Sequence, residues 1–141
     1  MRSYFLNTFI RPLGLTLGAV ALVLIAPCYA GGTDPASATG ACDSARGKQV
    51  FNKCRACHTT DPGVHMMGPS LAGIYGGIAG SADGFNYTPA LQQAEYTWDE
   101  EKLNGFLENP MRFMPGNAMP FGGIKDASER EALICFLQTA K

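Results

Sequence analysis

Apolar residues recur at the helical period in only a few short stretches of the chain, and the alternation typical of strands is absent. A first helix is predicted to run from Asp43 or Ser44, either of which can cap it, to about Cys54. A last helix is predicted to begin at Asp126 or Ser128. Its apolar stripe consists of Leu133, Ile134, Phe136 and Leu137. The pattern therefore predicts an all-α fold.

Long segments without apolar periodicity separate the predicted helices. Two further short helices are predicted at 89–93 and 98–108, and Pro110 is predicted to end the second. The segments 59–84 and 111–123 are rich in glycine and proline and are predicted loops. Three to five short helices with such loops bury too little apolar surface to offset the entropy of the chain. Either part of the chain is disordered, or a large apolar cofactor serves as its core.

The first 30 residues have the pattern of a secretory signal peptide. Two arginines precede an uncharged apolar run at 13–26, and small residues follow it up to Ala30. A helix of that run is only about 21 Å long, whereas the hydrocarbon of a bilayer is roughly 30 Å thick. Cleavage after Ala30 is therefore predicted, with a retained anchor as the alternative. The chain then divides into a signal at 1–30, a flexible leader at 31–41 and a domain at 42–141.

The charge of the secreted chain limits its partners. The whole chain has 11 Lys and Arg against 12 Asp and Glu; removing residues 1–30 removes two arginines and no acid, which leaves a net charge of −3. Such a chain is not expected to bind nucleic acid or to attach to an anionic membrane surface. After signal cleavage we expect no stable membrane insertion and a bacterial, periplasmic location.

The sequence C-R-A-C-H contains the spacing C-x-x-C-H, which is the signature of covalent c-type haem attachment. On a helical turn Cys54 and Cys57 lie on one face, so that both thiols can form thioethers with a porphyrin, and His58 can ligate the iron. A zinc site would need a second ligand pair, but Cys42 and Cys135 are far apart in the sequence. A redox dithiol would need a βαβ context, and a local disulfide would leave the missing core unexplained. One covalent haem c is the predicted cofactor.

The second axial ligand must come from elsewhere in the chain. His65 lies only seven residues from His58, too close to cross the ring, so a methionine is the expected ligand. Met119 lies in the proline-bracketed sequence P-G-N-A-M-P-F, which can hold a thioether in place. The other candidates are Met66, Met67, Met111 and Met114. Any of these five side chains could instead fill a core.

From about residue 43 to the C-terminus the chain resembles the class I soluble cytochromes c, the mitochondrial and bacterial periplasmic monohaem electron carriers. The motif R-G-K-Q-V-F resembles the first helix of that family. The resemblance implies a cytochrome c fold, in which the N- and C-terminal helices cross. Gly47 and Phe51 would then face Leu133 and Phe136.

The resemblance also implies roles around the haem. The sequence G-P-S-L resembles the loop in which a proline carbonyl accepts the N–H of the proximal imidazole, which would pair Pro69 with His58. Tyr87 and Trp98 match positions that donate hydrogen bonds to a buried propionate. Met119 matches the distal axial ligand.

Several positions depart from or modify the family pattern. His65 resembles a histidine that braces a loop. Gly77 stands where an arginine is common, and Phe106 replaces a tyrosine that could hydrogen-bond the Met119 sulfur. Met111 and Ala118 occupy positions where mitochondrial members have lysines. The basic residues that remain near the expected haem edge are Lys53, Arg112 and Lys125. A partner with a dense acidic patch is therefore less expected.

With His58 and Met119 on the iron, no position is open for a substrate, and the expected function is electron transfer without enzymatic chemistry. The resemblance implies a monomeric, soluble periplasmic carrier that exchanges electrons by outer-sphere transfer at an exposed haem edge near Phe121. Its partners would be redox complexes, and the sequence leaves open a cytochrome bc1-type complex, a terminal oxidase, a quinoprotein dehydrogenase or a photosynthetic reaction centre. The value of the redox potential is also left open. The alternative function is a haem sensor or weak peroxidase in which Met119 is labile, because Phe106 cannot hold it.

The resemblance places Cys42 and Cys135 near each other. Cys42 precedes the first helix and Cys135 lies in the last, and an exported protein meets an oxidising compartment. A disulfide would join the two helices, whereas the alternative is two separate buried thiols. The sequence does not decide between them.

Overall fold

A computed structural model describes residues 42–141. In these residues the elements are α1 (Ser44–Val50), a 3-10 helix (Phe51–Lys53), α2 (Pro89–Gln92), α3 (Glu100–Glu108), α4 (Pro110–Phe113) and α5 (Ala127–Thr139). No strand occurs within 42–141, and the one extended pairing there is an isolated antiparallel bridge between Ile78 and Thr97. The predicted all-α class is confirmed. The predicted signal at 1–30 and leader at 31–41 lie outside the described residues.

Aspartate side chains begin three of the helices. The Asp43 carboxylate accepts the backbone N–H of Arg46 at 2.8 Å, and Asp126 accepts that of Ser128 at 2.8 Å. For each pair of candidate caps, the aspartate is therefore the residue used. Asp99 accepts the backbone N–H of Lys102 at 2.8 Å, so α3 begins two residues later than the sequence predicted. Each carboxylate satisfies an N–H that has no partner within its helix.

The predicted loop at 111–123 was wrong at its start, because residues 110–113 form the short helix α4. Helix α3 ends at Glu108 as expected, but Pro110 then begins a new helix. A proline at the first helical position loses nothing, since the N–H it lacks would have no helical partner there. Asn109 caps α4 by accepting the backbone N–H of Arg112 at 3.1 Å.

Helices α1 and α5 cross at Gly47, as the resemblance implied. A Cβ atom at Gly47 would lie 1.9 Å from the carbonyl oxygen of Ala132 and 2.6 Å from Cβ of Phe136. The rings of Phe51 and Phe136 pack beside the crossing, with their centroids 5.3 Å apart. The two helix backbones can therefore approach this closely only because residue 47 has no side chain.

Polar side chains also join the α1 segment to α5 on either side of the crossing. Lys53 forms an ion pair with Glu129, and Arg46 Nη2 donates to Ser128 Oγ at 3.0 Å. On the other side of α5 the buried guanidinium of Arg130 links it to α3. Its Nε donates to Asn104 Oδ1 at 2.6 Å, and its Nη1 donates to the carbonyls of Ile124 and Lys125 at 2.8 and 3.0 Å.

The buried core is small and lies mainly between α1, α3 and α5. Its large apolar members are Val50, Phe51, Trp98, Leu103, Leu107, Ile124, Leu133, Ile134 and Leu137. Half-buried apolar side chains pack against this core, among them Leu71, Ile74 and Phe121 from the loops, Leu91 from α2 and Phe106 from α3. Cys54 is itself one of the half-buried residues that pack against this core. No helix within 42–141 has the length and apolar character needed to cross a membrane.

The structure places Cys42 and Cys135 with their Cα atoms 5.5 Å apart and their sulfur atoms within bonding distance. A Cα separation of that size is typical of disulfides. We infer that a disulfide joins the start of α1 to α5.

Intact-mass measurement after thiol alkylation tests this disulfide. We expect no alkylation at Cys42 or Cys135 before reduction and two additions after it. The double variant Cys42→Ser/Cys135→Ser is expected to lose about 2 to 4 kcal/mol of unfolding free energy, because its unfolded chain is less constrained. Two alkylated thiols in the unreduced protein would contradict the bond.

Candidate functional site

The two cysteines and the histidine of C-R-A-C-H lie on one tight helical turn that follows the 3-10 helix. The backbone N–H of Cys54 donates to the carbonyl of Phe51 at 2.8 Å. The backbone N–H groups of Cys57 and His58 then both donate to the carbonyl of Cys54, at 3.0 and 2.9 Å. Residues three and four apart on such a turn share one side of it. Both thiols are free and half-buried.

The Cys54 thiol is in an apolar environment. Burial raises the pKa of the Cys54 thiol to about 11, with Lys53 acting in the opposite direction and Cys57 adding a smaller increase. The surroundings of the sulfur thus favour the neutral thiol over the thiolate. Within residues 42–141 no cluster of three or more His, Cys, Asp or Glu side chains is arranged to hold a metal ion, and no βαβ unit contains the turn.

The His58 imidazole is fixed by a backbone carbonyl and by a glycine. Its Nδ1 donates to the carbonyl oxygen of Pro69 at 2.7 Å, which is the contact that the resemblance implied. Because a carbonyl can only accept, Nδ1 carries the proton and Nε2 keeps a free lone pair. The ring lies directly against Gly68, where a Cβ atom would come within 2.2 Å of Cε1. The imidazole is therefore oriented with Nε2 available to a metal.

His65 braces a loop. Its Nδ1 accepts the backbone N–H of Ser70 at 3.0 Å, and its Nε2 donates to the carbonyl of Asp83 at 2.8 Å. Both ring nitrogens are in use, so this imidazole has no lone pair for iron.

Among the five candidate methionines, Met119 is half-buried in a loop whose backbone is hydrogen-bonded on both sides. Its N–H donates to Asn117 Oδ1 and its carbonyl accepts the N–H of Phe121, both at 2.9 Å. Met114 is buried in the protein, with 7% of its surface exposed. The other three are more exposed: Met66, Met67 and Met111. Met119 is thus the methionine whose surroundings best suit an axial ligand.

Thr88, which follows Tyr87 in the chain, is a candidate site residue that the sequence did not predict. The Oγ1 atom of Thr88 is buried and has no hydrogen-bond partner among the described residues. Thr88 precedes α2 but makes no side-chain capping bond to it. A buried hydroxyl without a partner is costly, so its position beside Tyr87 suits a polar group of a bound cofactor, such as a propionate. Its position next to Tyr87 was the available sequence signal.

Tyr87 and Trp98 are both held in place. Burial raises the pKa of the Tyr87 hydroxyl, with the backbone of Ala82 acting in the opposite direction. Trp98 is 4% exposed. Its backbone is hydrogen-bonded at 2.8 Å to Gly76 and to Gly77.

The residues present fit a covalently attached haem. The chain offers two neighbouring thiols, an imidazole with a free Nε2, a thioether in a braced loop and a buried hydroxyl without a partner. Half-buried apolar side chains pack, like Cys54, against the small buried core. This combination of sulfur, nitrogen and apolar groups is what a c-type haem needs.

Comparison with known families agrees with this geometry. The profile of the family described as "Cytochrome c" matches residues 44–141. The chain belongs to the cytochrome c family. It therefore carries one covalently bound haem c and is a monohaem electron carrier, and the predicted family, fold and cofactor are confirmed.

Two relatives in the cytochrome c family illustrate the similarity. A "Cytochrome c" of Chlamydomonas reinhardtii is 44% identical over 100 residues, covering 70% of this chain and 89% of the relative. A "Cytochrome c2" of Rhodomicrobium vannielii is 44% identical over 108 residues, covering 74% and 84%. Among solved structures, cytochrome cH from Methylobacterium extorquens has a TM-score of 0.65 at 37% identity, covering 69% of this chain and 98% of that one.

Proposed function

We propose that this chain is an exported, periplasmic electron shuttle in which His58 and Met119 are the two axial ligands of a haem bound through Cys54 and Cys57. The observation that carries the proposal is the hydrogen bond from His58 Nδ1 to the carbonyl of Pro69, which leaves Nε2 free to bind a metal. When bound, the haem supplies a reversible one-electron couple of iron.

The chain's own residues would hold that couple in a fixed environment. The Pro69 carbonyl makes the His58 imidazole a more basic ligand. The hydroxyl of Thr88 would meet a propionate, together with Tyr87 and Trp98. Filling both axial positions would leave no place for a substrate, so the chain acts as a carrier whose electrons pass by outer-sphere transfer at the surface beside the Met119 loop.

Aromatic packing would keep water away from one side of this site. The ring of Trp98 packs against Phe106 and Tyr96, each with centroids 5.1 Å away. Phe113 covers the same tryptophan at 6.2 Å. A dry, apolar environment disfavours the extra positive charge of the oxidised iron, so it would raise the potential of the carrier.

Carbon monoxide binding tests the assignment of the axial ligands. We expect the reduced protein to keep its spectrum under carbon monoxide at neutral pH, because both axial positions are filled. The variant Met119→Ala is expected to bind carbon monoxide rapidly and completely, and Met111→Ala is the matched control, because the Met111 side chain is exposed and its loss should leave the parent behaviour unchanged. Rapid, complete binding by the parent protein would contradict the proposal and favour the sensor or peroxidase function that Phe106 leaves open.

The location proposed for the carrier rests on the signal pattern at 1–30, and its partners would be larger redox complexes of the periplasm. A cytochrome bc1-type complex, a terminal oxidase, a quinoprotein dehydrogenase and a photosynthetic reaction centre all fit a one-electron carrier.

The charged and apolar side chains at the surface indicate which interactions would hold such a partner. The Lys53 ammonium is paired with Glu129, and the Lys125 ammonium donates to the carbonyl of Glu108 at 2.8 Å. Met67 and Met111 are exposed by 74% and 52%. The exposed methionines therefore offer apolar contacts, while Arg55, Arg112 and Lys125 keep their positive charges without an ion pair among the described residues. We expect association to depend more on apolar burial than on these few charges.

The salt dependence of electron transfer tests this docking chemistry. Raising the ionic strength from about 0.01 M to about 1 M shortens the Debye length from about 30 Å to about 3 Å. With a purified bc1-type complex as donor, we expect the second-order rate constant to change by less than about threefold over that range. The variant Met67→Lys/Met111→Lys should respond more steeply, by about tenfold. A tenfold fall of the rate constant in the parent protein would show that charge, and not apolar burial, governs association with the partner.

A further inference from the structure

The side chain of Asn117 is buried next to the Met119 loop, with 6% of its surface exposed. All of its hydrogen-bonding contacts are to backbone groups. Its Nδ2 donates to the carbonyls of Pro110 and Met114, at 2.9 and 2.7 Å. Its Oδ1 accepts the backbone N–H of Met119 at 2.9 Å. One primary amide therefore links three separate points of the segment 110–119.

The groups that Asn117 binds are themselves fixed. Pro110 is one of the most fully buried side chains among the described residues, and Met114 is 7% exposed. The chain reverses direction between Met114 and Asn117, where the Asn117 N–H donates to the Met114 carbonyl at 3.2 Å. Gly116 lies in this turn with a φ of +88°, a backbone conformation that suits glycine. The amide thus connects a buried, rigid base to the residue that would reach the iron.

The Met119 side chain has no comparable support of its own. A thioether is a weak hydrogen-bond acceptor, and the ring of Phe106 offers no hydroxyl that could bond it. The position of the sulfur must therefore come from the backbone of residues 117–121. On that backbone the Met119 N–H is held by Asn117 Oδ1, and the Met119 carbonyl is held by the N–H of Phe121 at 2.9 Å.

We infer that Asn117 is a positioning residue that keeps the Met119 sulfur at the iron and resists its replacement by other ligands. The inference rests on the proposed function, in which Met119 is the distal ligand. Asn117 touches neither the iron nor the haem in this account; it acts through the backbone of Met119. By restraining the loop, the Asn117 amide would hold the Met119 sulfur in place. No hydrogen bond to the sulfur from residue 106 can do so, because Phe106 has no hydroxyl.

The test uses the oxidised holoprotein and imidazole as the competing ligand. Two variants separate the two functions of the amide. Asn117→Asp keeps an acceptor for the Met119 N–H but removes both donors, and Asn117→Ala removes all three bonds. For each variant, the imidazole dissociation constant and the long-wavelength charge-transfer band from sulfur to Fe(III) are measured, together with unfolding by denaturant.

The matched control is Asn104→Ala. Asn104 is also an amide that accepts a hydrogen bond, from Arg130 Nε at 2.6 Å, but it lies on α3 away from the Met119 loop. This variant is expected to lose stability and to keep the charge-transfer band and the imidazole affinity of the parent. It separates a loss of ligand positioning from a general loss of stability.

We expect imidazole to bind at least about tenfold more tightly to Asn117→Ala than to the parent, with a weaker charge-transfer band. Parent-like imidazole affinity in both Asn117 variants would overturn the inference. So would an equal change in Asn104→Ala, because the effect would then be one of stability alone. If Met119 were not the distal ligand, the proposed function itself would be wrong, and Met119→Ala would then retain the charge-transfer band.

Discussion

Replacing Gly68 with alanine is expected to abolish the formation of stable holoprotein. The new Cβ would lie 2.2 Å from Cε1 of His58 and 2.7 Å from both ring nitrogens. The ring cannot move aside without losing the hydrogen bond from Nδ1 to the Pro69 carbonyl. Overpacking of this kind costs about 1 to 3 kcal/mol, and here it also removes the orientation of the proposed proximal ligand.

The yield of haem per chain, measured as the pyridine haemochrome of the purified protein, tests this expectation. Gly122→Ala is the matched control, because a Cβ at Gly122 would meet no atom within 4 Å. The control is expected to give the parent yield and spectrum. A Gly68→Ala protein with the parent yield, spectrum and stability would show that His58 does not lie against this backbone.

The second large effect is expected at Gly47, where alanine should destabilise the fold by roughly 1 to 3 kcal/mol. A Cβ at this position would lie 1.9 Å from the Ala132 carbonyl oxygen, so α1 and α5 would have to separate. The buried side chains around the crossing, such as Phe51 and Leu133, would lose packing at the same time.

Denaturant unfolding of the holoprotein measures the effect, and the sign of the change is diagnostic. Glycine to alanine inside an exposed helix stabilises by about 0.5 to 1 kcal/mol, so helix propensity alone predicts the opposite result. Gln49→Ala, at an exposed position of the same helix, is the control and should change stability by less than about 0.5 kcal/mol. A stabilising effect of Gly47→Ala would show that the two helices are not in contact there.

The parts of this fold that the sequence predicted are those set by local chemistry. Asp43 and Asp126 could be named as caps because a carboxylate before an apolar helical pattern satisfies free N–H groups. The spacing of Cys54, Cys57 and His58 predicted the haem because it places two thiols that can form thioethers and one ligating imidazole on one turn. Helix α4 was missed because Pro110 was interpreted as a terminator, although a proline also suits the first position of a helix.

The parts that were not predicted depend on contacts between distant segments. Thr88 gives no local sign of being buried without a partner, since that follows from how the long loops pack. Asn117 is an ordinary loop residue in the sequence, and its three hydrogen bonds need the turn at Gly116 and the helix α4. Its position two residues before Met119, directly after P-G, was the available signal, because asparagine in turns commonly bonds nearby backbone groups.

The inferred link between Cys42 and Cys135 has a consequence for proteolysis. It spans a sequence separation of 93 residues, which includes every long loop of the described domain. A protease that hydrolyses one peptide bond between those two positions would open a ring and release no fragment. Nicked molecules would keep both pieces covalently tied, and only reduction would let them separate on a denaturing gel. A carrier built this way would outlast single cuts that would sever an unlinked chain.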